Sequence, residues 1–560
     1  MDRFIENHAD ERFDVIVIGG GITGASVAYD AASRGLKTAL VEKKDFSGAT
    51  SSATSKLIHG GLRYLANMEF SLVRESLKER KILEDIAPNF VYPFPMLMTH
   101  YKSTLKNSKW IIKAGLTLYD ILSYDRGSTW DKSKKIPLHK TISTKKALEM
   151  QPCLKEQGLT GASIFYDCMS IFPERLTLAF IRSAIAFGAK VSNYTKVDGF
   201  VLDDSNRVGG VKVTDVLNDT QHEIRGDITI NCGGPWADII LGVAKKGEVN
   251  ETLRRSEGIH IITEQKVCDG SVVASMTPKG RHFFLIPWRG HTLIGTTDKE
   301  YVGSPDEYRV TKESIVELID EVNSTFGEGF IKFEEVKHTY GGLRPLVEEQ
   351  TEGTYESSRK YEIYDNAEDG LEGLITVEGG KYTTSRNLAQ KVMDLVWQKT
   401  SKPMGQAITA MRYLNGCEIR DIKTFIEEAK RKHPRFGAGT LEYVARHYGN
   451  EYEKVLGIAE KDKKYAQVVT HDGEILAEVV YAIRHEMARS LSDIVLRRTG
   501  IATLGNPGDD ILREVAAIAA EELGWDEGRK ARELKDTAGL LAIPGMGAES
   551  GAEAKPGRKR

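Results

Sequence analysis

FDVIVIGGGITGASVAYDAASRGLKTALVE, residues 13–42, is the stretch of sequence that decides the fold of this chain. The β-branched apolar run at 13–18 is typical of a strand buried on both faces of a parallel sheet. A glycine-rich turn follows at once, and the pattern then predicts a helix over 25–34 and a second strand over 36–41. This order of elements is a βαβ unit, whose helix N-terminus is suited to binding a pyrophosphate.

Three glycines with the spacing G-x-G-x-x-G mark the predicted phosphate turn. Gly19 permits the tight turn, Gly21 lets a pyrophosphate approach the backbone, and Gly24 packs the helix against the strand. Ile22 lies within the same turn and is predicted to contact the cofactor. Glu42 follows the second strand, where its carboxylate can bind both hydroxyls of an adenosine ribose. The unit therefore predicts FAD or NAD and does not distinguish between them.

Length and composition limit what else the chain can be. Its 560 residues exceed the roughly 250 to 300 that one hydrophobic core usually supports, so we expect two or three domains. A net charge of -3 predicts no affinity for nucleic acid. The five cysteines include no C-x-x-C pair, which favours reduced thiols in a cytosolic compartment and no metal site. The polar N-terminus predicts no secretory signal, and any contact with a membrane is expected at its surface.

The stretch GATSSATSKLIHGGLRYL, residues 48–65, places hydroxyl side chains before basic residues and a glycine pair. Hydroxyls suit a pyrophosphate or the edge of a flavin ring, and paired glycines let the backbone pass close to a flat ring. The alternative is an ordinary surface loop rich in serine and threonine. The cofactor contacts predicted here are Thr50, Ser51, Ser52, Lys56, Leu57, His59, Gly60 and Gly61.

Two later strands are predicted to return to the nucleotide domain. Residues 228–231 run into a turn that begins at Gly233, and residues 375–377 end at Gly380 and Lys381. Thr383 or Thr384 is expected to cap the next helix, whose N-terminus, with Lys381 beside it, would stabilise negative charge on a reduced flavin ring. This arrangement favours a flavin over a nicotinamide. Four residues complete the predicted cofactor contacts: Gly233, Gly380, Lys381 and Thr383.

Five ordered segments resemble those of the FAD-dependent glycerol-3-phosphate dehydrogenases, which belong to the flavoprotein class that includes D-amino-acid oxidase. They are TSSATSKLIHGGLRYL (50–65), ITINCGGPWAD (228–238), LIPWRGHTLIGTTDKEY (285–301), YGGLRPL (340–346) and ITVEGGKYTTSR (375–386). The resemblance implies that a hydride passes from C2 of sn-glycerol 3-phosphate to FAD, giving dihydroxyacetone phosphate.

The resemblance also implies a substrate pocket that contains Arg63, Tyr64, Arg344 and Lys381. Each arginine lies one residue beyond an x-Gly-Gly-Leu turn, and a guanidinium fork suits a dianionic phosphate. His59, Arg344 and Lys381 are the candidate catalytic groups, and the identity of the general base stays open. Thr296, Thr297 and Asp298 are expected to line or brace the same cavity.

The electron acceptor implied by the resemblance is a membrane quinone or oxygen. Relatives that act as oxidases carry an added segment between the arginine and lysine motifs, and residues 346–377 are short here, which favours quinone. The alternatives are an oxygen-using glycerol-3-phosphate oxidase, an FAD amine or amino-acid oxidase, and a flavin-bound redox sensor without turnover. We expect a cytoplasmic protein, peripheral on the cytoplasmic face of the inner membrane. A homodimer is compatible with the sequence.

The predicted fold is α/β, with an FAD-binding Rossmann-like domain built on a parallel sheet, a mixed or antiparallel substrate domain, and a C-terminal all-helical domain. The flavin domain is predicted at 10–95, 160–250 and 340–400, the substrate domain at 96–159 and 251–339, and the helical domain at 403–537. Helices are expected at 473–485, 488–498 and 509–523, and disorder over 538–560. The apolar stretch at 110–122 predicts a core helix in preference to one that rests on a bilayer.

Overall fold

The computed structural model describes residues 1–7, 11–102, 109–245, 253–277, 281–347 and 361–547. The strands are β1 (Arg12–Ile18), β2 (Thr38–Val41), β3 (Leu57–Ile58), β4 (Val91–Tyr101), β5 (Lys140–Ile142), β6 (Leu159–Ser170), β7 (Lys190–Ser192), β8 (Thr195–Leu202), β9 (Val208–Asp215), β10 (Thr220–Asn231), β11 (Arg254–Thr263), β12 (Val272–Met276), β13 (His282–Trp288), β14 (His291–Gly295), β15 (Lys299–Tyr301), β16 (Val336–Leu346), β17 (Tyr361–Asp365) and β18 (Leu374–Gly379).

The helices follow in the same chain order. They are α1 (Ile22–Ser33), α2 (Phe70–Ile86), α3 (Lys109–Leu122), α4 (Thr144–Met150), α5 (Pro173–Ala186), α6 (Ala237–Ala244), α7 (Lys312–Phe326), α8 (Ser385–Thr400), α9 (Ile422–Lys432), α10 (Ala438–Tyr448), α11 (Tyr452–Lys461), α12 (Ala477–Glu486), α13 (Leu491–Asp493), α14 (Asp509–Leu523) and α15 (Glu527–Leu541).

The first sheet carries the opening βαβ unit. Its strand order is β17-β18-β10-β1-β2-β7, and β8 and β9 join it through β10. β1 pairs in parallel with β2 and with β10, and β10 pairs in parallel with β18. The two strands predicted to return to the nucleotide domain therefore lie side by side in the same sheet, β10 next to β1 and β18 next to β10. Because the carboxyl ends of parallel strands share one edge, the turns after β1, β2, β10 and β18 meet there.

The second sheet is mixed, as predicted. It has ten strands, eight of them in the order β15-β11-β14-β13-β12-β4-β6-β3, while β16 pairs with β11 and β5 pairs with β6. All of its pairings are antiparallel except that of β12 with β4. Strand pairing departs from the predicted division in three places, because β3, β6 and β16 fall wholly or mostly in segments assigned to the flavin domain and belong to this sheet.

The C-terminal region is helical, and α14 has the predicted bounds. The helix expected at 473–485 begins later, at Ala477. The helix expected at 488–498 starts at Leu491, where Ser490 and Asp493 form a capping box, and continues as a π-helix, Ile494–Arg498. The predicted disorder from 538 is wrong for the first residues, because α15 runs to a buried Leu541. Residues 548–560 lie outside the described part of the chain.

The prediction of a core helix over 110–122 is wrong. α3 buries Leu116 and Tyr119, whereas Trp110 is 74% exposed and Ile121 is 62% exposed. The helix is therefore a surface element with apolar side chains on its solvent face. Among the described residues, none of the helices has the length and apolar character needed to cross a membrane.

Candidate active site

A cavity of about 1510 Å³ lies where the two sheets meet. The first sheet contributes the turns at the carboxyl ends of β1, β2, β10 and β18, and the second contributes side chains from β4, β6, β11, β12, β13 and β16. Pockets for one small ligand usually measure about 300 to 1,000 Å³. This cavity therefore has room for a dinucleotide together with a substrate.

The dinucleotide part of the cavity begins at the turn between β1 and α1. Four residues that the sequence predicts as cofactor contacts line it: Gly19, Gly21, Ile22 and Glu42. Gly24 does not line it but packs the turn together, because a Cβ there would lie 1.9 Å from the carbonyl oxygen of Gly19. This contact matches the packing role predicted for the third glycine.

The Glu42 carboxylate is fixed at the end of β2. Its two oxygens accept hydrogen bonds from the backbone N–H groups of Gly20, at 2.7 Å, and Lys44, at 2.9 Å. Burial raises the pKa of this carboxyl. Each carboxylate oxygen can accept more than one hydrogen bond, so the group can still bind ribose hydroxyls. The turn, the helix N-terminus and this acid fit an adenosine diphosphate moiety.

Some of the cofactor contacts predicted in the stretch 48–65 line the cavity and others do not. Five line the cavity: Thr50, Ser51, Leu57, His59 and Gly61. Ser51 Oγ accepts the Ile22 N–H at 2.9 Å and so joins this stretch to the start of α1. Ser52 and Gly60 do not line the cavity; Ser52 Oγ donates to the Ala49 carbonyl at 2.8 Å.

Lys56 is placed differently from the prediction. Its Nζ lies 2.7 Å from Glu174 Oε1 in a buried ion pair and 5.3 Å from the centroid of the Trp288 ring. The side chain is absent from the cavity lining. It braces the second sheet, a role that local sequence does not indicate because Glu174 is more than one hundred residues away.

The turn after β18 also reaches the cavity, as does the turn after β10. Gly233, Gly380, Lys381 and Thr383 all line it. Thr384 occupies the position before α8, and its side chain makes no capping hydrogen bond. The predicted side-chain cap at this helix is therefore not formed by Thr384, although the helix begins next to the cavity as expected.

Two cations lie against one tyrosine ring in the wall of the cavity. Lys381 Nζ lies 4.0 Å from the centroid of the Tyr64 ring, and the Arg63 guanidinium carbon lies 4.6 Å from it. Arg63 Nη2 also donates to the Tyr64 hydroxyl at 3.1 Å, and Lys381 donates to Ser76 Oγ at 3.2 Å. These contacts bring together residues that lie more than three hundred positions apart in the chain.

Arg344 projects from β16 into the same cavity. Its Nη2 donates to Thr296 Oγ1 at 2.7 Å, and its Nη1 donates to the Thr297 carbonyl at 3.0 Å. The guanidinium lies directly over Gly258 of β11, where a Cβ would be 2.0 Å from Nη2. Gly258 was not singled out by the sequence, since only the pairing of β16 with β11 reveals its role. Thr296 and Asp298 line the cavity, and the Thr297 hydroxyl accepts the Ile259 N–H.

His59 lies in the cavity wall beside these cations. Burial lowers the pKa of its imidazole to about 4, with Lys381, Arg63 and Arg80 lowering it further and Asp167 opposing them. The imidazole is therefore neutral at pH 7. Asp167 and His260 also line the cavity and were not found from the sequence, because each lies inside a strand without a recognisable motif.

The fold and the cavity define an FAD-dependent oxidoreductase. The family model described as "FAD dependent oxidoreductase" matches residues 14–386, and the model described as "C-terminal domain of alpha-glycerophosphate oxidase" matches residues 375–530. The chain is 33% identical over 529 residues to the glycerol-3-phosphate dehydrogenase of Synechocystis sp., covering 92% of this chain and 94% of that protein.

Two further relatives agree with this assignment. The chain is 34% identical over 506 residues to the aerobic glycerol-3-phosphate dehydrogenase of Staphylococcus aureus, covering 88% of each chain. It is similar in structure to the glycerol-3-phosphate dehydrogenase from Bacillus halodurans complexed with FAD, with a TM-score of 0.76, 28% identity and 96% of each chain covered. The chain belongs to the FAD-dependent glycerol-3-phosphate dehydrogenase family, and FAD is its cofactor.

Proposed function

We propose that this protein oxidises sn-glycerol 3-phosphate to dihydroxyacetone phosphate and passes the electrons to a membrane quinone. The observation that carries the proposal is the clustering of Arg63, Arg344 and Lys381 in one cavity with the residues that fit FAD. Three fixed cations suit a dianionic phosphate ester, whereas a neutral amine substrate has no anionic group for them to bind. The names of the relatives support the same substrate.

The three cations are held by different contacts, and we expect them to have different roles. Arg344 is held by Thr296 and Thr297 before substrate arrives, so its fork is preorganised to bind an anionic oxygen. Arg63 and Lys381 lie against the Tyr64 ring, which restricts their motion and orients their charges. FAD, when bound, supplies the acceptor for the hydride that leaves C2.

A proton must leave the C2 hydroxyl as C2 loses its hydride. His59 is the proposed acceptor, because its pKa of about 4 leaves it unprotonated at neutral pH. Arg344 and Lys381 would polarise the same oxygen and make the proton easier to remove. The hydroxyl oxygen is thus expected to lie between one neutral acceptor and two cations.

Anaerobic reduction of the purified protein tests this function. Glycerol 3-phosphate is expected to bleach the yellow flavin absorbance, whereas equal concentrations of glycerol or glycine leave it unchanged. A ubiquinone analogue should then restore the absorbance faster than air does. Persistence of the colour with glycerol 3-phosphate would exclude the substrate, and recovery with air alone would exclude quinone in favour of oxygen.

We further propose that α3 rests on the cytoplasmic surface of the inner membrane. Trp110, Ile111 and Ile121 are more than half exposed, and Lys109 and Lys113 lie beside them. Tryptophan with lysine is the composition expected where a helix meets lipid headgroups. Ile111 also lines the cavity, so the face proposed to touch lipid is continuous with the site that a lipid-soluble quinone must approach.

Replacing Trp110 with Ser is expected to weaken binding to anionic phospholipid vesicles about 10- to 100-fold, because burying one large apolar side chain contributes about 1.5 to 3 kcal/mol. Vesicle flotation of the FAD-loaded protein measures this binding. The matched control is Trp397→Ser, since Trp397 is also exposed, at 55%, and lies on a different helix, α8. Equal flotation of both variants would show that α3 is not the contact surface.

A further inference from the structure

A buried carboxylate, Asp167, lies in the cavity wall on β6 and has no part in the function proposed so far. Its residue exposure is 3%. Three elements donate hydrogen bonds to it. Arg80 Nη1 of α2 donates at 2.6 Å, the Tyr119 hydroxyl of α3 lies within 2.8 and 2.9 Å of its two oxygens, and the Gly60 N–H donates at 3.2 Å.

The last of these contacts connects Asp167 to His59. Gly60 directly follows His59, and its N–H donates to the Tyr119 hydroxyl, at 3.0 Å, as well as to Asp167. The peptide that joins His59 to Gly60 is therefore held by two acceptors, one of which is charged. Movement of either acceptor would move the backbone from which the imidazole projects.

The ion pair of Asp167 with Arg80 is costly to bury. Both side chains are almost fully buried, at 3% and 1% exposure, and a buried ion pair is often no more stabilising than apolar residues of the same size. Arg80 is itself held by Ser123 Oγ at 3.0 Å and by the Tyr166 carbonyl at 3.1 Å. These contacts hold the Asp167 side chain beside the peptide that follows His59.

The charged groups that face His59 come from several elements. Lys381 follows β18, Arg63 lies in the turn after β3, Arg80 is on α2 and Asp167 is on β6. Asp167 is the anion among them. Tyr119 of α3, whose pKa burial raises well above its usual value, stays neutral.

We propose that Asp167 is a positioning residue for substrate oxidation: through the Gly60 amide and the Tyr119 hydroxyl it orients His59, and its charge stabilises the imidazolium. The inference rests on the proposed function. In that step the O–H bond of the C2 hydroxyl breaks and its proton moves to the imidazole. The C2 hydrogen leaves with its electron pair to FAD, and the ketone forms.

The variant that tests the proposal is Asp167→Asn, which keeps the shape and removes the charge. A general base raises the rate of a reaction about 10² to 10⁴-fold, and correct orientation accounts for part of this factor. We therefore expect the limiting rate of anaerobic flavin bleaching to fall about 10- to 100-fold. The half-saturating glycerol 3-phosphate concentration should change far less. The acid limb of the limiting rate should move to lower pH, because the anion that favours protonated His59 is gone.

Two further variants make the result specific. Tyr119→Phe removes one acceptor of the Gly60 amide and leaves the charge, so it should slow bleaching without moving the acid limb. Asp215→Asn removes a buried aspartate that pairs with Arg3 outside the cavity, and it should bleach at the unmodified rate. FAD content, measured for each variant, shows whether it folds.

The outcomes separate the two proposals. Unmodified protein that glycerol 3-phosphate cannot bleach would overturn the proposed function and this inference with it. Bleaching of the unmodified protein, together with an unchanged rate and acid limb in FAD-loaded Asp167→Asn, would overturn the positioning role alone. If Asp167→Asn does not fold, an unchanged rate in Tyr119→Phe overturns it.

Discussion

Replacing Arg344 with Ala is expected to lower kcat/KM for glycerol 3-phosphate about 30- to 5,000-fold. Removing one partner of a desolvated charge pair costs about 2 to 5 kcal/mol, and this cost appears directly in kcat/KM. The effect should be large because Thr296 and Thr297 already orient Arg344. Little conformational entropy of its side chain is therefore lost when substrate binds to the unmodified enzyme. A titration of anaerobic flavin bleaching against substrate concentration measures the change.

Gly258→Ala tests the same guanidinium without removing its charge. A Cβ at this position would overlap Arg344 Nη2, so the fork must shift and we expect a smaller loss of about 10-fold in kcat/KM. Gly199→Ala is the matched control, because its strand position leaves 3.7 Å to the nearest side-chain atom. Arg254→Ala removes a neighbouring arginine of β11 that pairs with Glu300. If Arg344→Ala titrates like Arg254→Ala, Arg344 is not a substrate ligand.

The second large effect is expected on stability, from Asp45→Asn. Asp45 follows β2, and its carboxylate binds both arginines at the end of the π-helix. Arg498 donates from Nη2 at 2.6 Å and from Nη1 at 2.8 Å, and Arg497 donates from Nε at 2.7 Å. Removing the charge leaves the buried Arg498 guanidinium without its paired anion, which costs about 3 to 5 kcal/mol, whereas Arg497 keeps its ion pair with Asp493. Because this contact joins the nucleotide turn to the C-terminal helices, the urea midpoint and FAD retention should fall together.

The same aspartate should make the free energy of unfolding depend on pH in the acidic range. The two arginines hold its folded pKa at about 2, against about 3.9 for an unperturbed aspartate. Because the pKa of Asp45 is lower in the folded protein, its contribution to the free energy of unfolding is complete above about pH 4 and is lost as the pH falls towards about 2. Asp45→Asn should therefore lose less stability than the unmodified protein over this range.

A surface ion pair provides the comparison for this prediction. Asp306 pairs with Lys43 close to the same turn, but its side chain is 52% exposed. Exposed pairs contribute about 0 to 1 kcal/mol, so Asp306→Asn should leave the urea midpoint nearly unchanged. Equal midpoints for Asp45→Asn and Asp306→Asn would contradict the structural role of the buried contact.

Much of the fold was predictable because its signals are local. The βαβ unit, the two returning strands and α14 each follow from apolar periodicity next to glycine, within about thirty residues. One prediction that was wrong concerns burial: α3 has the apolar composition of a core helix, yet Trp110 and Ile121 face solvent. Periodicity shows that one face is apolar and does not show what covers it.

The sequence by itself determined the class of cofactor site and the residues Arg63, Arg344 and Lys381 as candidates for anion binding, since each lies in a short motif of fixed spacing. Only the tertiary structure decided which neighbours act on them. Gly258 lies beneath Arg344 because β11 pairs with β16, Lys56 turns away to Glu174, and Asp167 reaches the amide after His59. These contacts join positions far apart in the chain, and a contact of that kind depends on how elements pack, which local spacing does not encode.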